Sequence, residues 1–394
     1  MATDPAVLTS APAPRRLIGL DLLRLLAVVL VLGRHMEARP TDWQSPLRSL
    51  FDWWFTYGGM GVDVFFVLSG FLVSGLLFSE YRRRGQMSVK RFYVRRAWKI
   101  YPSFYFLIGF TYLYCLFVLG EKPRDRPIFS EIFFIQSYQH GFWNHTWTLG
   151  VEEHFYIALP LLLLVLARRN RGAEDPFREI PYLVVATSIA VLGMRIATCL
   201  LRPEYTFITH AFPTHLRIDE LFFGVGIAYA YHFHSDWFRN AFVPWRYALI
   251  CGGAATMLGT QLAPPLDGFT GYTFTITQTY LGCAALLIGV LMCRIPHNWL
   301  TVALAALGSY SYSIYLWHMA LMYWAMPQLR ELSAPWSVRT MIYMVGAFAI
   351  GIPMAKLLEL PTLRFRDRKY PSRVLEGPVT TEPAVAEPTL RKAA

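Results

Sequence analysis

The chain has 394 residues, of which 55% are hydrophobic and only 16% charged, and its formal net charge is +11. Soluble globular domains carry about 25% charged residues, whereas repeated apolar runs near 20 residues indicate a polytopic membrane protein. The excess of Lys and Arg is not a nucleic-acid footprint, because it lies in short loops between apolar runs, where the positive-inside rule accounts for it.

The opening "MATDPAVLTSAPAPRR" lacks an apolar pattern over residues 1–14, which are expected to form a disordered tail. The apolar run that follows is long enough to span a bilayer and no small-residue cleavage site follows it, so it reads as a retained helix and not a signal peptide. Ten spans are expected, near residues 17–36, 56–79, 101–120, 147–167, 180–201, 217–234, 247–262, 274–293, 300–323 and 338–358. The expected fold class is therefore an all-α polytopic membrane protein with about ten transmembrane helices, forming one domain over 15–370. A short apolar patch at 128–137 suits a re-entrant or interfacial segment. Loops 81–99, 167–178 and 364–369 hold eight, four and four Lys/Arg. They predict a cytoplasmic location for those loops and for both termini. Residues 371–394, rich in Ala, Pro, Glu and Thr, are expected to be a disordered cytoplasmic tail.

The first span carries Asp21, Arg24, Arg34 and His35. Charge inside hydrocarbon costs about 2.5–3.5 kcal/mol or more per group and so tends to mark function. Arg24 and His35 are eleven residues apart, roughly 16–17 Å of helical rise, and eleven steps of about 100° return within about 20° of the start. The two share a face, and Asp21, three residues before Arg24, joins it. Either this stripe is a buried Asp21–Arg24 pair with an interfacial His, or it lines a functional passage. Arg34 points elsewhere, toward the outer interface.

In the second span, Gly70 and Ser74 form a small-xxx-small pair that permits close helix contact, and Asp63 is a buried-charge candidate near the outer end. "RFYVRRAWKIYP" (91–102) is a basic stretch at the cytoplasmic start of span three. Arg91, Arg95 and Lys99 line one helical face and Arg96 sits beside Arg95. The stretch either sets topology or binds a phosphorylated ligand, whose oxygens suit Arg forks. Span four opens with the adjacent carboxylates Glu152 and Glu153, which favour a helix N-terminus or orient and polarise an imidazole for general-base work. Arg195 is an intramembrane charge with no partner evident from sequence. Asp219 and Glu220 can pair with Arg217. His210 and His215 flank an outer-loop proline, and His318 closes "SYSIYLWH" (311–318) in span nine. The five cysteines show no CxxC spacing, and the ten histidines form no HxxH box, so neither disulfides nor a metal is expected.

Taken together, Arg24-x10-His35, "FFVLSGFLVSG" (65–75), "FYVRRAWKIYP" (92–102), "TWTLGVEEHFY" (146–156), "LRIDELFFG" (216–224), "SYSIYLWH" and "ELPTLRF" (359–365) are carried in an order that resembles the acyltransferase 3 family of bacterial integral-membrane O-acyltransferases. The resemblance covers most of residues 16–366. It implies a ten-helix fold in the inner membrane and transfer from cytosolic acyl-CoA, usually acetyl-CoA. The acceptor it implies is a hydroxyl of an envelope or exported glycan, or of a small glycosylated metabolite. It also implies essential roles for Arg24 and His35, and a CoA-side role for Arg95, Arg96 and Lys99. Three positions, in two motifs, depart from the family pattern. Lys99 stands where an Arg is usual, which keeps the charge and loses the bidentate fork. Thr148 and His154 stand where Ser and Gln are frequent.

The resulting expectation places the CoA phosphates on Arg95, Arg96 and Lys99 and threads the pantetheine arm past Arg24. His35 then acts as general base, oriented by Glu153 or Glu152, or as an acylated relay. Asp21, Asp63, Arg195, Asp219 and His318 are assigned supporting roles. The rival reading is a transporter or flippase of a lipid-linked sugar, which ten helices with buried charges also suit. It gives no reason for the Arg24/His35 stripe beside a cytoplasmic Arg cluster.

Overall fold

The computed structural model describes residues 18–120, 125–259 and 268–372; the expected tails, 1–14 and nearly all of 371–394, lie outside the described residues. Every regular element among the described residues is helical. In chain order these are α1 (Ile18–His35), α2 (Arg48–Tyr57), α3 (Met60–Arg84), α4 (Val89–Phe117), α5 (Asp125–Ile132), α6 (Trp147–Arg169), α7 (Ile180–Leu201), α8 (Phe207–His210) and α9 (Ile218–Phe233). After them come α10 (Ser235–Phe242), α11 (Arg246–Gly259), α12 (Ile276–Met292), α13 (Trp299–Ser309), α14 (Ser311–Ala320), α15 (Met326–Glu331), α16 (Trp336–Met354) and α17 (Leu360–Lys369). π turns over Gly271–Thr275, Leu321–Ala325 and Ala355–Glu359 lead into α12, α15 and α17.

Local chemistry sets several of the boundaries. Ser88 Oγ accepts from Arg91 N at 3.4 Å to start α4, and Asn298 and Thr301 form a reciprocal capping box at α13. Gly85, at φ 66°, ends α3 with its N–H on Tyr81 O.

Helix is present at all ten expected span positions, but among the described residues six segments are long and apolar enough to cross a membrane: Met60–Arg84, Val89–Phe117, Asn144–Arg169, Ile180–Leu201, Gly271–Met292 and Trp336–Lys369. The other four fall short for visible reasons. α1 carries Asp21, Arg24 and Arg34 within 18 residues. α9 and α11 have 16 and 14 residues. The ninth expected span is interrupted at Tyr310, which separates α13 from α14.

α1 is the hub of the site, packed on α3, α13 and α14. It meets α13 almost backbone to backbone, since a Cβ on Gly308 would stand 1.8 Å from Asp21 O. α3 and α9 meet in the same way: a Cβ on Gly70 would lie 2.0 Å from Leu221 O, and one on Gly224 2.2 Å from Val67 O. Such contacts gain dispersion and exclude lipid, and they require small residues.

A buried ionic cluster ties α3, α7 and α9 together. Arg195 Nη2 lies 2.6 Å from Asp219 Oδ1, and its Nε donates to Leu216 O at 2.8 Å. Arg217 reaches Glu220 at 2.7 Å and Asp63 at 2.9 Å. Arg195 therefore finds its partner in Asp219, and of the expected pairing of Arg217 with Asp219 and Glu220 only the Glu220 half forms. The cluster sets three carboxylates against two guanidiniums among the described residues.

Candidate active site

A cavity of about 570 Å³ opens between α1, α3, α4, α6, α14 and the α16–α17 junction. Three cations line it: Arg24 from α1, and Arg96 and Lys99 from α4. Arg24 is held by Asp21, with Nη1 to Oδ1 at 2.6 Å, and keeps a third of its side chain accessible while Asp21 is buried. The expected Asp21–Arg24 pair is thus formed, and its Arg faces the cavity.

The basic stripe of α4 divides between two tasks. Arg91 donates to Pro371 O at 2.6 Å. Arg95 lies 3.0 Å from Asp367 and also donates to Tyr370 O. Lys99 pairs with Glu359, which accepts from Ser313 Oγ at 2.6 Å as well. The face shared by Arg91, Arg95 and Lys99 is therefore covered by α17, the turn before it and the two residues after it. Of the three cations expected to grip a phosphorylated donor, Arg96 and Lys99 line the cavity and Arg95 does not.

Arg96 sits 3.9 Å above the Tyr156 ring and beside Glu152, with the Ser69 and Tyr156 hydroxyls, 2.5 Å from each other, next to the same carboxylate. Glu153 accepts from Tyr101 Oη at 2.5 Å. The two carboxylates thus turn toward α3 and α4, and the expected pairing of Glu153 or Glu152 with His35 is not made. The two carboxylates stand in the second turn of α6, beside Ser69 of α3 and Tyr101 and Arg96 of α4, while His35 sits at the end of α1.

His35 meets other histidines instead. Its Nδ1 is 3.2 Å from His318 Nε2 and 3.1 Å from Val31 O. His318 Nδ1 is 2.5 Å from Tyr315 O, and His145 Nε2 is 3.3 Å from Leu316 O. Ring centroids are 5.1 Å apart for His35–His318, 4.9 Å for His145–His318 and 6.4 Å for His35–His145. His35 itself does not line the cavity. Tyr315 and Thr148 do, with their hydroxyls 2.7 Å apart. The Tyr315 ring lies 5.3 Å from His145 and 5.7 Å from His318, and its hydroxyl donates to His145 O. The cavity wall at Tyr315 and Thr148 therefore backs onto the histidine cluster. No group of three or more His, Cys, Asp or Glu among the described residues is arranged to hold a metal.

Sequence reasoning passed over His145, Tyr315 and Glu359. Each stood beside or inside a quoted motif: His145 immediately before "TWTL", Tyr315 within "SYSIYLWH" and Glu359 at the head of "ELPTLRF". Nothing local marks them, because their partners are up to 260 residues away. His154 and His215 lie apart, on Thr214 and Tyr138. His210 is buried against Thr206, Thr209 and Arg202.

Outside the spanning helices, Glu131 fixes the turn that carries His145. Trp143 N donates to its carboxyl at 3.1 Å, and Thr146 Oγ1 lies 2.9 and 3.0 Å from its two oxygens. Thr146 Oγ1 is also 2.7 Å from Trp143 O. Thr146 Oγ1 donates, and its one proton is shared between the Glu131 carboxyl and the Trp143 carbonyl. Burial pushes this carboxyl up to about 7, against the lowering effect of the Trp143 and Thr146 hydrogen bonds.

Comparison with known proteins points one way. A family model described as an acyltransferase domain matches residues 17–356. O-acetyltransferase OatA of Staphylococcus aureus is 27% identical over 327 residues, which is 78% of this chain and 50% of the relative. Peptidoglycan O-acetyltransferase OatA of Listeria monocytogenes is 24% identical over 391 residues, 89% of this chain and 58% of the relative. The chain spans about half the length of these curated relatives. No solved structure matches it.

Proposed function

The chain belongs to the acyltransferase domain family, and from that premise we propose that it is a multi-pass membrane O-acyltransferase. It moves an acyl group, in the acetyl form, from cytosolic acyl-CoA to a hydroxyl of a glycan at the outer side of the cell (inner) membrane. The names of the relatives support acetyl as the group and a peptidoglycan-type glycan as the acceptor. The observation that carries the reading is the convergence of Arg24, Arg96 and Lys99 on one cavity whose far wall, at Tyr315 and Thr148, adjoins His35, His145 and His318. Cations suit the phosphates of CoA through charge-assisted hydrogen bonds, and an imidazole suits a hydroxyl that must lose its proton.

In the reaction His35 Nε2 takes the proton of the acceptor hydroxyl while the acceptor oxygen adds to the thioester carbonyl. The C–S bond then breaks, the sulfur departs as thiolate, and it takes the proton from His35. The products are an ester and free CoA thiol. If His35 is acylated on the way, the same products form in two steps. Arg24, Arg96 and Lys99 hold the donor, Asp21 and Glu359 orient two of those cations, and Glu152 orients Arg96.

The test uses purified protein in liposomes, with acetyl-CoA and a soluble peptidoglycan fragment as acceptor. Thiol release should depend on the acceptor, and His35→Ala should lower it at least about a hundredfold, the span of general-base catalysis. Wild-type release from His35→Ala would refute the assignment. Radiolabel retained on the protein without acceptor, and lost in His35→Ala, would select the acyl-histidine route.

A further inference from the structure

The hydrogen-bond directions around His318 fix which nitrogen of His35 is bare. His318 Nδ1 lies 2.5 Å from Tyr315 O. A carbonyl can only accept, so His318 carries its proton on Nδ1 and presents Nε2 as a lone pair. That lone pair faces His35 Nδ1 at 3.2 Å. Two lone pairs would repel there, so His35 Nδ1 must be the donor. Val31 O, 3.1 Å from the same nitrogen, is a second acceptor and demands the same answer. His35 is therefore an Nδ1–H imidazole, and its unprotonated nitrogen is Nε2.

We propose that His318 is the positioning residue of the reaction: locked by the Tyr315 carbonyl, it accepts the Nδ1–H of His35, so that Nε2 of His35 is held bare and oriented to take the acceptor proton. The inference rests on the reading of His35 as the general base. His318 occupies the place that a carboxylate holds in a hydrolase triad, where an acceptor on one imidazole nitrogen sets the tautomer and aim of the other. Neither Glu152 nor Glu153 fills that place: Glu152 lies beside Arg96, Ser69 and Tyr156, and Glu153 accepts from Tyr101. A neutral histidine in this role suits its surroundings. It completes the bond without adding a full negative charge to a fully buried site, where an unpaired ion is costly. Because α14 carries both Tyr315 and His318 three residues apart, one turn of helix supplies the lock and the acceptor together.

Two variants and one spectrum test this. His318→Ala removes the acceptor. Its kcat should fall about a hundredfold while the KM for acetyl-CoA stays within about twofold, because His318 is not among the residues that line the donor cavity. His318→Gln places an amide oxygen where Nε2 stood and should regain most of the lost kcat. Wild-type kcat in His318→Ala would overturn the proposal. So would equal losses in both variants with KM rising in step, the pattern of a merely structural residue. The spectrum is taken on protein with 15N-labelled histidine in liposomes, assigned with His35→Asn. It should show both rings protonated at Nδ1 and a coupling across the hydrogen bond between His35 Nδ1 and His318 Nε2. A His35 ring protonated at Nε2 would overturn the proposal outright. If the wild-type protein releases no thiol from acetyl-CoA, the functional reading fails on its own, and the spectrum still decides the pair.

Discussion

Gly308→Ala probes the closest helix contact of the site. The new Cβ would stand 1.8 Å from Asp21 O, 2.8 Å from Asp21 C and 3.1 Å from Leu25 N. All three are backbone atoms of α1, so no side chain can swing aside. Ordinary contact begins near 3.4 Å, so the helices must part by about 1.6 Å, the difference between the two separations, in an interior that has no slack to absorb it. Overpacking of this kind costs about 1–3 kcal/mol. The displaced segment matters for function as well, because Asp21 holds Arg24 and the residues just after Gly308 line the cavity. Thermal unfolding of detergent-solubilised protein should come several degrees earlier in Gly308→Ala. The KM for acetyl-CoA should rise about tenfold, the equivalent of one charge-assisted hydrogen bond lost. Gly109→Ala is the control: its Cβ meets nothing within 4 Å, and the helix should gain about 0.5–1 kcal/mol. A Gly308→Ala protein with wild-type melting temperature and KM would refute the reasoning.

Further outcomes can be checked with the same preparations. Arg24→Met should raise the KM for acetyl-CoA by about 10- to 100-fold with a smaller change in kcat, and Arg24→Lys should recover part of it; an unchanged KM would remove Arg24 from the donor site. Glu131 binds its proton more tightly folded, at about 7, than unfolded, at 4.5. Its contribution to stability is therefore fully present below about 4.5, is lost as pH rises toward 7, and is flat beyond, for a total of about 3 kcal/mol. Melting temperatures across that window should fall more steeply in the wild type than in Glu131→Gln, and identical slopes would show that the carboxyl does not hold the proton. Arg195→Met strands Asp219 in the buried cluster and should cost about 3–5 kcal/mol. Gel filtration after solubilisation should show aggregation, which Arg195→Met combined with Asp219→Asn should relieve in part.

Helix positions and the Asp21–Arg24 pair were legible because they follow from apolar periodicity and from spacings within one helix. The need of Arg195 for a partner was legible too, but Asp219 as that partner was not, since 24 residues and a change of helix separate them. The basic stripe illustrates the limit most clearly. The four-residue spacing of Arg91, Arg95 and Lys99 correctly put them on one face. What covers that face comes from residues 359–371, more than 250 positions away. The histidine cluster was hidden for the same reason: His35, His145 and His318 sit in three separate motifs, and only the packing of α1 on α14, with the turn before α6, brings their rings together. The carboxylates of α6 were misjudged because the helix begins at Trp147, five residues before Glu152, so they stand past its N-terminus, and their partners lie on α3 and α4. The break at Tyr310 has one local sign, Gly308 two residues before it, and a lone glycine inside an apolar run does not by itself end a helix.

That break has a consequence for what the cavity attracts. α14 begins within the protein, with Ser309, Tyr310, Ser311 and Tyr312 all on the cavity lining and no side chain capping its first turn. The peptide dipoles of a helix leave up to about half a positive charge at such an end, here offset in part by the carbonyl end of α13 one residue before it. This attraction is made of main chain, so acid, base and side-chain replacement leave it in place. An incoming anion meets it even when Lys99 is neutralised by Glu359, and stripping every cation from the cavity by mutation should still leave a residual pull on a negatively charged guest.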